Sequence, residues 1–128
     1  AFVSGLDAGK IYQSWPLMND NYFPDDVNIT SFISLIDFEN HSLIQFYHRN
    51  FAYFITFYIL VLSFINLRKK ENTIRLANLI LLFVLSVQIL LGIVTLLSNL
   101  NIVLASAHQI FSLIIVLSAL NLHYSLIK

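Results

Sequence analysis

The chain has 128 residues, 58% of them apolar and only 11% charged, with a mean hydropathy of +0.77. The charged share is about half that of a soluble domain, which excludes a disordered chain and argues strongly against an ordinary cytosolic globule. Net charge is zero and cysteine is absent, so no basic field exists to hold nucleic acid, and disulfides, thiolate metal sites and iron–sulfur clusters are excluded.

The composition predicts an all-α integral membrane bundle. The chain opens at Ala1 inside the apolar run Ala1-Phe2-Val3-Ser4-Gly5-Leu6. Residues 1–7 read as the outer end of a transmembrane helix whose remainder is missing, so the sequence is expected to be a fragment of something longer. Residues 8–40 read as an acidic loop on the outer side of the membrane. Among the first forty residues Lys10 stands against Asp7, Asp20, Asp25, Asp26, Asp37 and Glu39, a net charge of −5. Tyr12, Trp15, Tyr22 and Phe23 suit the aromatic belt at the membrane–water boundary.

Residues 41–128 read as a three-helix transmembrane bundle. Apolar segments run from about Ser42 to Leu67, Leu76 to Leu97 and Ile102 to Ile127. A helical span takes about 20 residues, so each is long enough, and none alternates in polarity as a membrane strand would. The first connection carries Arg68, Lys69, Lys70 and Arg75 against Glu71, whereas Ser98-Asn99-Leu100-Asn101 carries no charge. The positive-inside rule therefore places the first connection and the C-terminus on the cytoplasmic or matrix side of a bacterial or mitochondrial inner membrane. Both connections are short, which makes neighbouring helices antiparallel.

Ionisable groups within a span are costly and mark function. The first span holds His48 and Arg49, and the third holds His108. His48 lies seven residues past His41 and His108 six past Ile102, so both sit about 10 Å below the outer edge. Two imidazoles at one depth on two helices suit a haem iron with two axial histidines. Small neighbours agree with a flat macrocycle: Ala52 on the face of His48, and Ala105 and Ser112 on that of His108. Gln45 shares the first of these faces. The second span contributes Asn78, Leu85, Gln88, Gly92 and Thr95, a stripe at helical spacing turned to the interior. Arg49 suits a haem propionate bidentately, or snorkels to lipid phosphate. The bland alternative is that each histidine only hydrogen-bonds a neighbour, and their matched depth weighs against it. Zinc, which takes three or four ligands, fits less well. His41 and His123 read as surface or packing residues. Asn28-Ile29-Thr30 and Asn40-His41-Ser42 match the short glycosylation pattern.

Several stretches resemble the haem A synthase family of membrane enzymes, in its alphaproteobacterial and mitochondrial form. Gly5-Leu6-Asp7-Ala8-Gly9-Lys10, Tyr12 and Trp15-Pro16-Leu17-Met18 resemble the loop after that family's fifth helix. Phe38-Glu39-Asn40, Gln45-Phe46-Tyr47-His48-Arg49 and Ala52-Tyr53 resemble the start of its sixth. Gln88-Ile89-Leu90-Leu91-Gly92-Ile93-Val94-Thr95-Leu96 resembles the seventh, and Leu104-Ala105-Ser106-Ala107-His108-Gln109 the start of the eighth. The resemblance implies three complete helices and the end of a fourth, half of an eight-helix fold. It implies that this half holds haem B through His48 and His108. The substrate haem O and the catalytic acid then belong to the other half. Gln45 stands here where a catalytic glutamate would, so the catalytic residues are unknown in this chain, and the fragment alone is expected to be inactive. The implied reaction oxidises a haem O methyl group to a formyl group for cytochrome oxidase assembly. Membrane lipid, haem O synthase and a second copy of the chain are the implied partners. The alternatives are a bis-histidine b-type cytochrome or membrane anchor that only carries electrons, and a haem-free protein whose histidines pack.

Overall fold

The computed structural model describes residues 11–28 and 39–127. Three helices dominate: α1 His41–Leu67, α2 Asn72–Leu97 and α3 Ile102–Ile127. All three are long and apolar enough to cross a membrane. At 1.5 Å per residue each reaches about 40 Å, more than the hydrocarbon thickness of about 30 Å. The first and third match the expected spans. The second begins at Asn72, four residues before Leu76, because a helix carries on through a stretch where polar Asn72, Thr73 and Arg75 surround the single apolar Ile74: Arg75 N–H donates to Glu71 C=O at 3.1 Å. Hydropathy marks where lipid ends, not where the helix ends. The expected helix end at 1–7 lies outside the described residues, as do Ile29 and Thr30 of the first glycosylation triplet.

Local chemistry sets the helix ends. Asn40 caps α1, its Oδ1 accepting from the backbone N–H groups of Ser42 (3.0 Å) and Leu43 (3.2 Å). That use of the side chain is a helix-starting role for the second glycosylation triplet. Between α2 and α3 the chain reverses through Asn99 and Leu100, both left-handed at φ 56° and 54°. Leu100 N–H closes this turn on Thr95 C=O at 3.0 Å, and Asn101 Oδ1 accepts from Val103 N–H at 3.0 Å. At the end of α1, Arg68 lies over the Phe64 ring at 4.5 Å, a cation–π contact suited to the membrane boundary.

α3 packs along α2, α1 meets α2, and α1 scarcely touches α3. The apolar core sits toward the end of the bundle that carries Arg68, Lys69 and Lys70, here called the basic end. It consists of Ile59 from α1, Ile74, Ala77, Leu81 and Leu85 from α2, and Leu122 from α3. Fully buried Asn78 ties two helices together there, Nδ2 donating to Ser63 C=O at 3.3 Å. In a bilayer such interhelical polar contacts and close packing hold helices together, since lipid removes the hydrophobic drive.

Elsewhere the bundle shows its apolar side chains. Phe51, Phe54, Phe57 and Tyr58 are each more than 60% exposed. A patch of that size on a soluble monomer would be an aggregation site, whereas facing lipid it is ordinary. The chain is an integral membrane helical bundle. Along α1, buried residues fall only at 42–45 and at Ile59, Ser63 and Asn66. The stretch between them, 46–58, contains no buried residue. The helices are thus closed at the basic end and open between α1 and α3 toward the other, the loop end.

Candidate functional site

The loop end is built by residues 11–28, which fold back onto the start of α1. Tyr12 is 3% exposed. The Gln45 side chain pairs with its backbone in both directions, Tyr12 N–H donating to Oε1 (3.2 Å) and Nε2 donating to Tyr12 C=O (2.7 Å). Arg49 adds Nη2 to Tyr12 C=O (3.1 Å) and Nη1 to Leu17 C=O (3.2 Å). Asp26 accepts from the Tyr12 hydroxyl and from the Ser42 hydroxyl, each at 2.6 Å. Tyr22 donates to Asn50 Oδ1, and the rings of Tyr22 and Phe23 meet Phe46 edge-on at 5.6 and 5.1 Å. A tight reversal pairs Met18 with Asn21, with Asn19 left-handed at φ 57° and Met18 buried beneath.

The electrostatics of this clasp follow from its bonds. Burial pushes the Asp26 carboxyl up, but the bonds from Ser42 and Tyr12 outweigh it and hold the group below its ordinary range. Burial, and then the bond donated to Asp26, hold the Tyr12 phenol above its ordinary value.

Beside the clasp lie the two deep histidines. α1 begins at His41 and α3 at Ile102, so His48 stands seven residues along its helix and His108 six along its own. His48 is exposed on the open face of α1, where Ala52 and Ile55 extend the same exposed strip. His108 is half-buried against α2. A Cβ added at Gly92 would stand 3.0 Å from His108 Cε1, tighter than most real Cβ contacts, so the ring lies closely against the glycine and would have to shift by a few tenths of an ångström for a larger residue. The Gln88 amide faces His108 Nε2 at 3.4 Å. Nδ1 of His108 and Oε1 of Gln88 are buried without a hydrogen-bond partner.

The interior stripe of α2 is as expected: Asn78, Leu85 and Thr95 are buried, and Gln88 and Gly92 half-buried. Gln45 and Arg49 are used differently. The sequence offered Gln45 as a neighbour of His48 and Arg49 as an anion or lipid partner. Both reach instead to loop backbone, a pairing across more than 30 residues that no periodicity signals. Arg49 Nε remains buried without a partner. His41 is half-buried at the start of α1, and His123 is exposed on α3.

Among the described residues no three His, Cys, Asp or Glu side chains gather as a metal cluster. Two imidazoles on two helices of the bundle, one exposed on α1 and one half-buried against α2, form a donor set that fits a metal already held in a macrocycle and taking two further ligands. The glycine recess and the unpartnered ring nitrogen fit that role.

The COX15-CtaA family model, described as cytochrome oxidase assembly protein, matches residues 1–120. The chain is 43% identical over 120 residues to the heme A synthase of Pelagibacter ubique, covering 92% of this chain and 34% of that protein. It is 38% identical over 128 residues to the heme A synthase of Rickettsia felis, covering 100% and 37%. For that of Wolbachia pipientis the identity is 39% over 120 residues, covering 94% and 33%. The chain thus spans about a third of the length of these relatives. No solved structure matches it. Matched by the family model over most of its length, and built of the helices such a membrane protein requires, the chain belongs to the COX15-CtaA family of cytochrome oxidase assembly proteins.

Proposed function

We propose that the chain is the C-terminal, haem-B-holding half of a haem A synthase, which oxidises a methyl group of haem O to a formyl group for cytochrome oxidase assembly. The observation that carries this reading is the pair of imidazoles, His48 and His108, seven and six residues along their helices, on a chain whose relatives are named heme A synthase. His48 and His108 would hold the haem through their imidazoles, and Arg49, whose Nη atoms bind loop backbone while Nε is unpartnered, would contact a propionate. Haem B bound there supplies reversible one-electron redox chemistry.

The chain's own residues do the holding. His48 and His108 would both be engaged in holding the haem, which suits electron transfer in this half. Gln45, Arg49 and Tyr12 fix the loop onto the start of α1, next to His48 in the chain. The positive-inside rule puts the basic end in the cytoplasm or matrix and the loop on the opposite side. Haem O and the catalytic acid belong to the half of the full-length protein outside this chain. Haem O synthase, a second copy and membrane lipid are its partners.

The test uses the full-length protein expressed in cells that make haem O. Extracted haems, assayed as pyridine haemochromes, should contain haem A, and the purified protein should show a low-spin b-type band. Haem present with no haem A formed would favour an electron-carrying cytochrome. No haem under adequate supply would defeat both readings.

A further inference from the structure

Two unpartnered buried atoms at the His108 site are chemically complementary. Gln88 Oε1 is an acceptor without a donor. The amide nitrogen of Gln88 can only donate, so at 3.4 Å it leaves His108 Nε2 as the acceptor and the ring proton on Nδ1, a donor without an acceptor. Both atoms belong to side chains already in contact, and Gly92, one helical turn along α2 from Gln88, provides the recess for the ring. No other side chain within the described residues hydrogen-bonds this imidazole.

We propose that Gln88 and Gly92 form a seat on α2 that positions His108 as an axial ligand, Gln88 Oε1 accepting from Nδ1–H once Nε2 is given to iron. The proposal rests on the bis-histidine reading above. In the structure the Gln88 amide nitrogen faces the Nε2 lone pair. When Nε2 turns to the slot, rotation of the carboxamide and the ring about their own bonds pairs the two groups left over. A histidine ligand that donates its second ring N–H is better oriented and more basic, and losing that partner typically lowers metal affinity by about 10–100-fold. Gly92 acts sterically: a methyl group there would press on the ring and shift it by a few tenths of an ångström from its seat. Both are positioning residues, since neither touches iron.

The experiment compares the haem-loaded full-length protein with Gln88→Leu, Gly92→Ala and, as a control on an exposed face of α2, Ser86→Ala. Gln88→Leu keeps the approximate volume and removes the acceptor. It should raise the midpoint potential of the b-type haem, because a less basic imidazole stabilises the ferric state less, and should hasten haem loss by roughly tenfold. Gly92→Ala should give a several-fold larger fraction of five-coordinate, carbon-monoxide-reactive ferrous haem, still held through His48. Ser86→Ala should match the parent. If Gly92→Ala fails to accumulate, the potential and haem-loss rate of Gln88→Leu decide alone. A Gln88→Leu protein with the parent's potential and haem-loss rate overturns the seat while leaving the bis-histidine site intact. A parent without low-spin haem overturns the reading on which the seat depends.

Discussion

The two ends of this bundle are held by different forces. At the basic end, Ile59, Ile74, Ala77, Leu81, Leu85 and Leu122 interlock, and Asn78 bonds across to α1. At the loop end α1 stands apart from α3, and a polar clasp of Tyr12, Gln45, Arg49, Asp26 and Ser42 takes the place of packing. The closed end supplies rigidity, and on the proposed reading the open end is where a ligand is held by His48 and His108. A site held by rigid helices keeps its geometry while its mouth stays accessible. The division predicts that substitutions at one end disturb stability and those at the other disturb the loop or the ligand.

The largest local effect should come from Gln45→Ala. It leaves the buried Tyr12 N–H without an acceptor, a cost of about 1–3 kcal/mol. Protease cleavage at the exposed 19–22 turn should speed about tenfold, with thermal unfolding of the helices little changed. Equal loss of helix stability would show that the two ends are one cooperative unit. Leu81→Ala should do the reverse. In a bilayer the lost side chain came from lipid and not water, so the cavity term dominates, giving about 1–2 kcal/mol. Detergent unfolding should register it, and the turn's cleavage rate should not.

The smallest effect is on pH. Asp26 is held below its ordinary pKa, so its contribution to the clasp is fully present above about pH 4 and is lost as pH falls through the lower folded value. Tyr12 is held above its ordinary value, so its share is present below about pH 10 and is lost as pH rises through the higher folded value. Turn cleavage should therefore be slowest and flat between these limits. Asp26→Asn should remove the acid limb and leave the alkaline one. An acid limb unchanged in Asp26→Asn would assign it to another carboxyl.

The contrast between the ends also marks what a sequence discloses. The spans of α1 and α3 and the antiparallel order were legible because lipid imposes a length and short connections impose a reversal. The inward stripe Asn78, Leu85, Thr95 followed from period alone. The start of α2 was not legible, since a helix continues into the headgroup layer without an apolar signal. The clasp was not legible either. Gln45 and Arg49 find backbone groups of Tyr12 and Leu17, and any residue type presents the same N–H and C=O, so nothing in the loop's composition announces the partner. The recess at Gly92 lay within the stripe that suggested it, yet only the His108 ring standing 3.0 Å from a would-be Cβ explains the glycine.

The central claim, that the slot between α1 and α3 is a bis-histidine haem site, is tested most directly by electron paramagnetic resonance of the full-length protein and its His48→Ala and His108→Ala variants. The account predicts a low-spin six-coordinate b-type signal in the parent. Each variant should lose that signal, leaving a high-spin haem or none, while the turn's protease resistance stays intact. A low-spin b-type signal that survives unchanged in either variant would contradict it.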